Sequence, residues 1–299
     1  MRSKLISSLA GAAFTFAASG FAFAADMAVK APPPAPARVP TWTGFYGGIQ
    51  VGGAWSDEAV NLSPNDAVAA ALLSGSFAAL GGSSPGQKPL PNGFRISQSG
   101  AVGGFEAGYN WQAGLNWLLG LEADFSFSGM NGRASGTSNL LAGVITQTIT
   151  AEQRTDWYGT VRGRLGWLAT PNLLLFGTGG FAYGRVVDSA NYALSANPAI
   201  FPFGVGLNFP FSFICTGSGV TCFAGSSSAI RTGWTAGGGV EWLVDQHWSA
   251  KIEYQFVDLG TETVRVTAIS NFLGTAPASF NAAFHDRFNV VRLGLNYRF

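Results

Sequence analysis

The sequence predicts an all-β protein, an eight-stranded antiparallel up-and-down transmembrane β-barrel. Three observations lead there. In the last fifteen residues, Val291, Leu293, Leu295, Tyr297 and Phe299 share one parity, and Arg292, Gly294, Asn296 and Arg298 share the other. Side chains alternate across a strand, so this segment has one greasy face and one charged face, and it ends the chain on an aromatic. Charged residues make up only 11% of the chain and mean hydropathy is +0.22. Past the first 25 residues, however, no run reaches the ~18 consecutive apolar residues of a spanning helix. Third, tight and long connections alternate along the chain, as they do between the two rims of a membrane barrel.

The N-terminus reads as an export signal over residues 1–24. Arg2 and Lys4 precede an apolar stretch from Leu5 to Phe23, and Ala22-Phe23-Ala24 supplies a small-residue cleavage box. Its removal takes away two bases and no acid, leaving a mature chain one charge negative. Residues 25–40, with Ala31-Pro32-Pro33-Pro34-Ala35-Pro36, form an extended leader with no core of its own, expected in the periplasm. The barrel is expected over residues 41–299.

Eight segments then alternate with period 2. Phe45, Ile49, Val51 and Trp55 oppose Tyr46 and Gln50. Phe105, Ala107, Tyr109 and Trp111 oppose Glu106 and Asn110. Trp117, Leu119, Leu121, Ala123, Phe125 and Phe127 oppose Glu122, Asp124, Ser126 and Ser128. Trp157, Val161, Leu165 and Trp167 oppose Tyr158, Thr160, Arg162 and Arg164. The fifth alternation is the weakest, setting Leu173, Leu175, Phe181 and Tyr183 against Thr178. Trp234, Ala236, Val240 and Trp242 oppose Thr235 and Glu241. Trp248, Ala250, Ile252, Tyr254 and Phe256 oppose Lys251, Glu253 and Gln255, and the C-terminal segment is the eighth.

Tight turns are expected near Gln112–Asn116, at Thr170-Pro171-Asn172 and at Asp245-Gln246-His247. The other joins read as long loops, about Ser56–Arg95, Met130–Gln153, Asp188–Ile230 and Gly260–His285. Within the first, Asp66–Leu80 is Ala/Leu-rich and suits a short surface helix. Trp42, Trp111, Trp117, Trp167, Trp242, Trp248 and Tyr297 gather at the short-turn end, where an interfacial girdle would place them.

The opening Trp42-Thr43-Gly44-Phe45-Tyr46-Gly47-Gly48 after an Ala/Pro-rich leader resembles alphaproteobacterial small outer-membrane proteins of the porin-opacity, OmpA-like transmembrane-domain superfamily. The ending Arg292-Leu293-Gly294-Leu295-Asn296-Tyr297-Arg298-Phe299 is similar to theirs as well. The resemblance implies the eight-stranded barrel, outer-membrane location and no catalytic residues to carry across. It also implies that the final strand, with Leu295, Tyr297 and Phe299, is the signal read by the outer-membrane assembly machinery.

On the lumen parity stand Glu106, Glu122, Asp124, Glu241 and Glu253 with Arg162, Arg164, Lys251 and Arg292. Eight strands leave an interior just wide enough for side chains, so these charges are expected to pair and plug it. The Gly237-Gly238-Gly239 run lies inside a predicted strand with no helix after it, so close packing explains it better than a phosphate loop. Cys215 and Cys222 are the only cysteines, and export favours a disulfide between them at the outer surface. No cofactor or metal is expected, and the near-neutral charge gives nucleic-acid binding no support. The Phe-rich stretch 200–214 is expected to fold over the barrel mouth or to meet a surface partner. The expected role is structural: envelope integrity and display of surface loops, with outer-membrane lipid and lipopolysaccharide as partners. The alternatives are a small-solute porin or ligand-capturing receptor, and more distantly a lipid-modifying enzyme using His285, Asp286 and a loop serine such as Ser279.

Overall fold

The computed structural model describes residues 41–74, 90, 93–141, 145–196, 220–269 and 278–299. The export signal, the leader, the Phe-rich stretch 200–214 and Cys215 lie outside the described residues. The strands are β1 (Gly44–Pro64), β2 (Gly93–Ala113), β3 (Trp117–Leu141), β4 (Ile145–Thr170), β5 (Leu173–Ala196), β6 (Val220–Leu243), β7 (Trp248–Ala268) and β8 (Ser279–Arg298). One helix, α1 (Ala67–Ser74), follows β1. Each strand pairs antiparallel with the next, and β8 returns to β1, so the sheet closes. Ile49 stands opposite Phe105 on one side and Leu295 on the other. Closure removes the strand edges that lipid could not satisfy.

The short turns fall where the sequence places them. Gly114 takes φ +76°, a left-handed conformation that side chains resist. Asp245 Oδ1 accepts from the His247 and Trp248 amides at 2.7 and 2.8 Å, fixing the β6–β7 turn. In the triple-glycine run, a Cβ on Gly239 would stand 2.1 Å from the Ile252 carbonyl oxygen. Close approach of β6 to β7 therefore requires glycine there.

The outer face carries an apolar belt including Phe45, Ile49, Val51, Phe105, Leu121, Phe127, Leu165, Phe181, Ile252 and Leu293, all exposed. The belt stops at a ring of outward ion pairs: Asp57–Arg95, Arg133–Glu152, Arg154–Asp156, Arg185–Asp156 and Asp258–Arg287. Charges on a lipid face are costly at mid-membrane and tolerated at its boundary, so this ring marks the outer edge of the hydrocarbon. The strands run 20 to 26 residues. About 9–11 suffice to cross a bilayer. Much of the wall therefore projects beyond it.

That projection corrects the loop assignments. Part of each of the four stretches read as long loops is strand, because alternation continues there with its sign reversed. On β7 and β8, Val264, Val266, Phe280, Ala282 and Phe284 point inward and are buried, while Thr261, Thr263 and Arg265 face out. Water has replaced lipid outside, so the greasy parity turns inside. The helix also differs from its expectation. Asp66 Oδ1 accepts from the Ala69 amide at 2.8 Å and caps α1. Ala69, Ala71, Leu72 and Leu73 of α1 are buried within the barrel mouth and not laid on its surface.

Candidate functional site

The interior is the candidate site, and it is built in five layers. At the periplasmic end, Trp42, Leu118, Leu168, Leu174, Phe176 and Leu243 form an apolar floor. The sequence places Trp42 in the interfacial girdle at this rim; it is instead fully buried. Its Nε1 donates to the Pro171 carbonyl oxygen at 3.0 Å, its amide donates to Gln112 Oε1 at 3.1 Å, and the Arg298 guanidinium lies 5.1 Å from its ring centroid. Indole burial is tolerable because that N–H finds a partner. Trp111, Trp117, Trp167, Trp242, Trp248 and Tyr297 do face outward at this rim.

Above the floor lie the nine lumen charges, all buried. Arg162 donates to Glu122, Glu253 and Asp124, the last at 3.0 Å. Arg292 bridges Glu253 and Asp124 at 2.9 and 3.2 Å. Lys251 Nζ stands 2.6 Å from Glu106, 3.2 Å from Glu122 and 3.4 Å from Glu253. Arg164 pairs with Glu241 and stacks 4.0 Å from the Phe176 ring centroid. Tyr46 Oη donates to Glu122 at 2.6 Å, and Thr160 and Ser249 donate to Asp124 and Glu241. Glu106, Glu122 and Glu253 each bring a carboxylate oxygen within 4.8 Å of the others, a spacing that suits a metal ion. The Lys251 ammonium already occupies that cation position.

A second apolar layer follows, with Ala54, Val102, Met130, Tyr158, Val186, Val257, Leu259, Phe288 and Val290. Beyond it comes a polar layer that the sequence reading missed. Arg231 sits 2.9 Å from Glu262, 3.1 Å from Asp286 and 3.7 Å from Asp188. Gln153 donates to Asp286 and accepts from Gln98. This layer lies outside the hydrocarbon, since Asp188 follows the outward Arg185 and Asp286 neighbours the outward Arg287. Burial raises the Asp188 carboxyl to about 7. Burial, and then the charge of Asp188, raise Asp286 to about 8.

The outermost layer is the largest apolar cluster, joining α1 to Ile96, Ile149, Tyr192, Phe223, Val266, Phe280 and Phe284. Cys222 belongs to it, buried and disulfide-bonded. The expected position on the outer surface is therefore corrected: β6 begins inside this cluster and carries Cys222 into it.

The residues considered for hydrolytic chemistry do not converge. His285 faces outward with Nδ1 2.9 Å from Thr261 Oγ1, whereas Asp286 points into the barrel. Ser279 Oγ accepts from Arg265, and its amide donates to Asp66. His247 stacks on Tyr297 at the periplasmic turn. At the C-terminus, Leu295, Tyr297 and Phe299 all face outward, and the Phe299 amide donates to the Phe45 carbonyl oxygen at 3.0 Å.

Residues 14–299 match the family model described as the outer membrane protein beta-barrel domain. The chain is 32% identical over its whole length, and the whole of the relative, to a 31 kDa outer-membrane immunogenic protein of Brucella melitensis biotype 1. It is 25% identical to a 22 kDa outer membrane protein of Rhizobium leguminosarum bv. viciae, over 64% of this chain and 63% of that one. Among solved structures it is similar to the outer membrane protein OprG of Pseudomonas aeruginosa. That similarity covers 86% of this chain and 96% of that one, with 10% identity and a TM-score of 0.39.

Proposed function

The chain belongs to the outer membrane β-barrel domain family, and from that premise we propose that it is a closed structural barrel supporting the envelope and displaying its outer rim. One observation carries the reading: apolar layers lie below, between and above the two charged ones. A conducting pore needs a continuous wet path, and apolar constrictions exclude water and ions. Each charged layer is instead held by its own ion pairs within a cross-section that eight strands leave nearly filled. The projecting wall, and a whole-length relative described as immunogenic, favour display of the outer rim to the surroundings. The scattered placement of His285, Asp286 and Ser279 supports a role without catalysis. Reconstitution in planar bilayers with single-channel recording tests the proposal. Silent membranes containing folded protein are the expected result; reproducible unitary steps would establish a porin instead.

A further inference from the structure

The outer wall differs around its circumference. On β2 to β5, Phe105, Phe125, Phe127, Trp157, Tyr183 and Phe181 form a continuous aromatic surface, with neighbouring ring centroids 5.2–6.1 Å apart. The wall of β7, β8 and β1 mixes aliphatic side chains (Ile252, Val291, Leu293, Leu295, Ile49 and Val51) with aromatics such as Trp55 and Tyr254 that are not joined into such a run of ring contacts. Directly above the aromatic surface stand Arg133, Arg154 and Arg185, on three successive strands, with side chains 69%, 60% and 51% exposed. Arg185 is the register partner of Trp157, so the guanidinium row begins where the aromatic rings end.

Two acids, Glu152 and Asp156, lie among these three bases and leave one positive charge. Elsewhere on the ring, Arg95 and Arg287 are matched one to one by Asp57 and Asp258. Asp156 is divided between Arg154 Nε at 2.8 Å and Arg185 Nε at 3.6 Å, so it forms a two-pronged pair with neither. Among the described residues, the terminal nitrogens of Arg154 have no other partner. A guanidinium fork binds phosphate more completely than this arrangement binds carboxylate.

We infer that this face seats a phosphorylated glycolipid of the outer leaflet, its acyl chains on the aromatic wall and its phosphates across Arg133, Arg154 and Arg185. A soluble anion would use the arginines and leave the aromatic surface idle; an uncharged lipid would do the reverse. The inference rests on the envelope-supporting role proposed above and gives it a point of attachment.

The test uses the folded full-length mature chain in detergent, with diphosphorylated lipid A as probe and bound lipid counted by native mass spectrometry. The combined R133Q/R154Q/R185Q variant should bind on the order of a hundredfold more weakly, about fivefold for each guanidinium. Each single variant, folded by its heat-dependent gel mobility, should lose its own share. R95Q/R287Q, at the one-to-one ion pairs on β2 and β8 outside the guanidinium row, should bind as the parent does, and fully dephosphorylated lipid A should bind the parent no better than the triple variant binds the phosphorylated form. Equal binding by the triple and parent proteins would overturn the inference, as would indifference to the lipid phosphates. Competition by equimolar inorganic phosphate would overturn it too, by reducing the site to a simple anion site. A barrel that binds the lipid and conducts would remove only the closed-barrel reading.

Discussion

Arg162 is held by three carboxylates, and that arrangement sets what its loss would do. Removing it leaves Glu122, Asp124 and Glu253 buried with less compensating charge, and desolvated carboxylates left short of partners are costly. Arg162→Ala should therefore destabilise the barrel by roughly 3–5 kcal/mol, and Arg292→Ala similarly. Arg95→Ala, whose pair is exposed on the outer wall and screened by solvent, should leave the unfolding curve close to the parent's. Urea unfolding in a fixed detergent, followed by gel mobility, reads all three; parent-like resistance in both interior variants would rule out a plugged core. Parity alone placed the nine interior charges, because each stands opposite a run of lipid-facing residues. It left five acids facing four bases. Arg298, buried on the same inner face, supplies a fifth base. Trp42 was illegible for a different reason. An indole at a strand entrance suits a girdle or a floor equally well in sequence, and only Pro171 and Gln112, distant in the chain, decide between them.

The inner halves of the strands could be read because lipid demands a greasy outward parity. The outer halves could not, because Ser, Thr, Asn and Gly facing water resemble loop composition. Yet Ile149, Ala151, Ala190, Tyr192, Val264 and Val266 keep the alternation, turned inward. The cost of that misreading was the layer of Asp188, Arg231, Glu262 and Asp286. Its acids give these outer halves a pH dependence of their own. Asp188 and Asp286 have carboxyls raised to about 7 and about 8, against an unfolded value near 3.9. A raised acid pKa means that the folded state holds protons that the unfolded chain releases. The resulting stabilisation is full below about pH 4 and is lost as pH climbs through about 8. Arg231, Glu262 and Gln153 face the pair. The projecting wall should therefore resist protease better at pH 5.5 than at pH 9, and D188N/D286N should flatten the difference. Identical digestion at both pH values in the parent protein would refute the assignment.

The whole molecule depends on one closure, β8 against β1, which cannot form until the last strand has been made. Until then two strand edges carry unsatisfied backbone groups, which no lipid environment can pair. The C-terminal end of this closure is specific in detail. The Phe299 amide donates to Phe45, Arg298 reaches the Thr41 carbonyl, and Tyr297 packs edge-on against both Trp248 and Phe299. Phe299 itself is 83% exposed, so its ring adds little to the packing of the finished barrel. An aromatic that the folded state hardly uses, at the rim where β8 begins its closure, fits a role during assembly, read by the machinery that inserts such barrels. Phe299→Asp should then lower outer-membrane abundance several-fold, with protein lost to periplasmic aggregates or proteolysis. The small share of packing involved should leave the unfolding midpoint of the purified, refolded variant within about 1 kcal/mol of the parent. Asn289→Asp, halfway along the same strand and close to the ring of outward ion pairs, should leave abundance nearly unchanged. Fractionation and quantitative blotting measure abundance, and the unfolding curve separates assembly from stability. Parent-level abundance of Phe299→Asp would show that this residue is not read during assembly, whereas low abundance with an equally lowered midpoint would make its role purely structural.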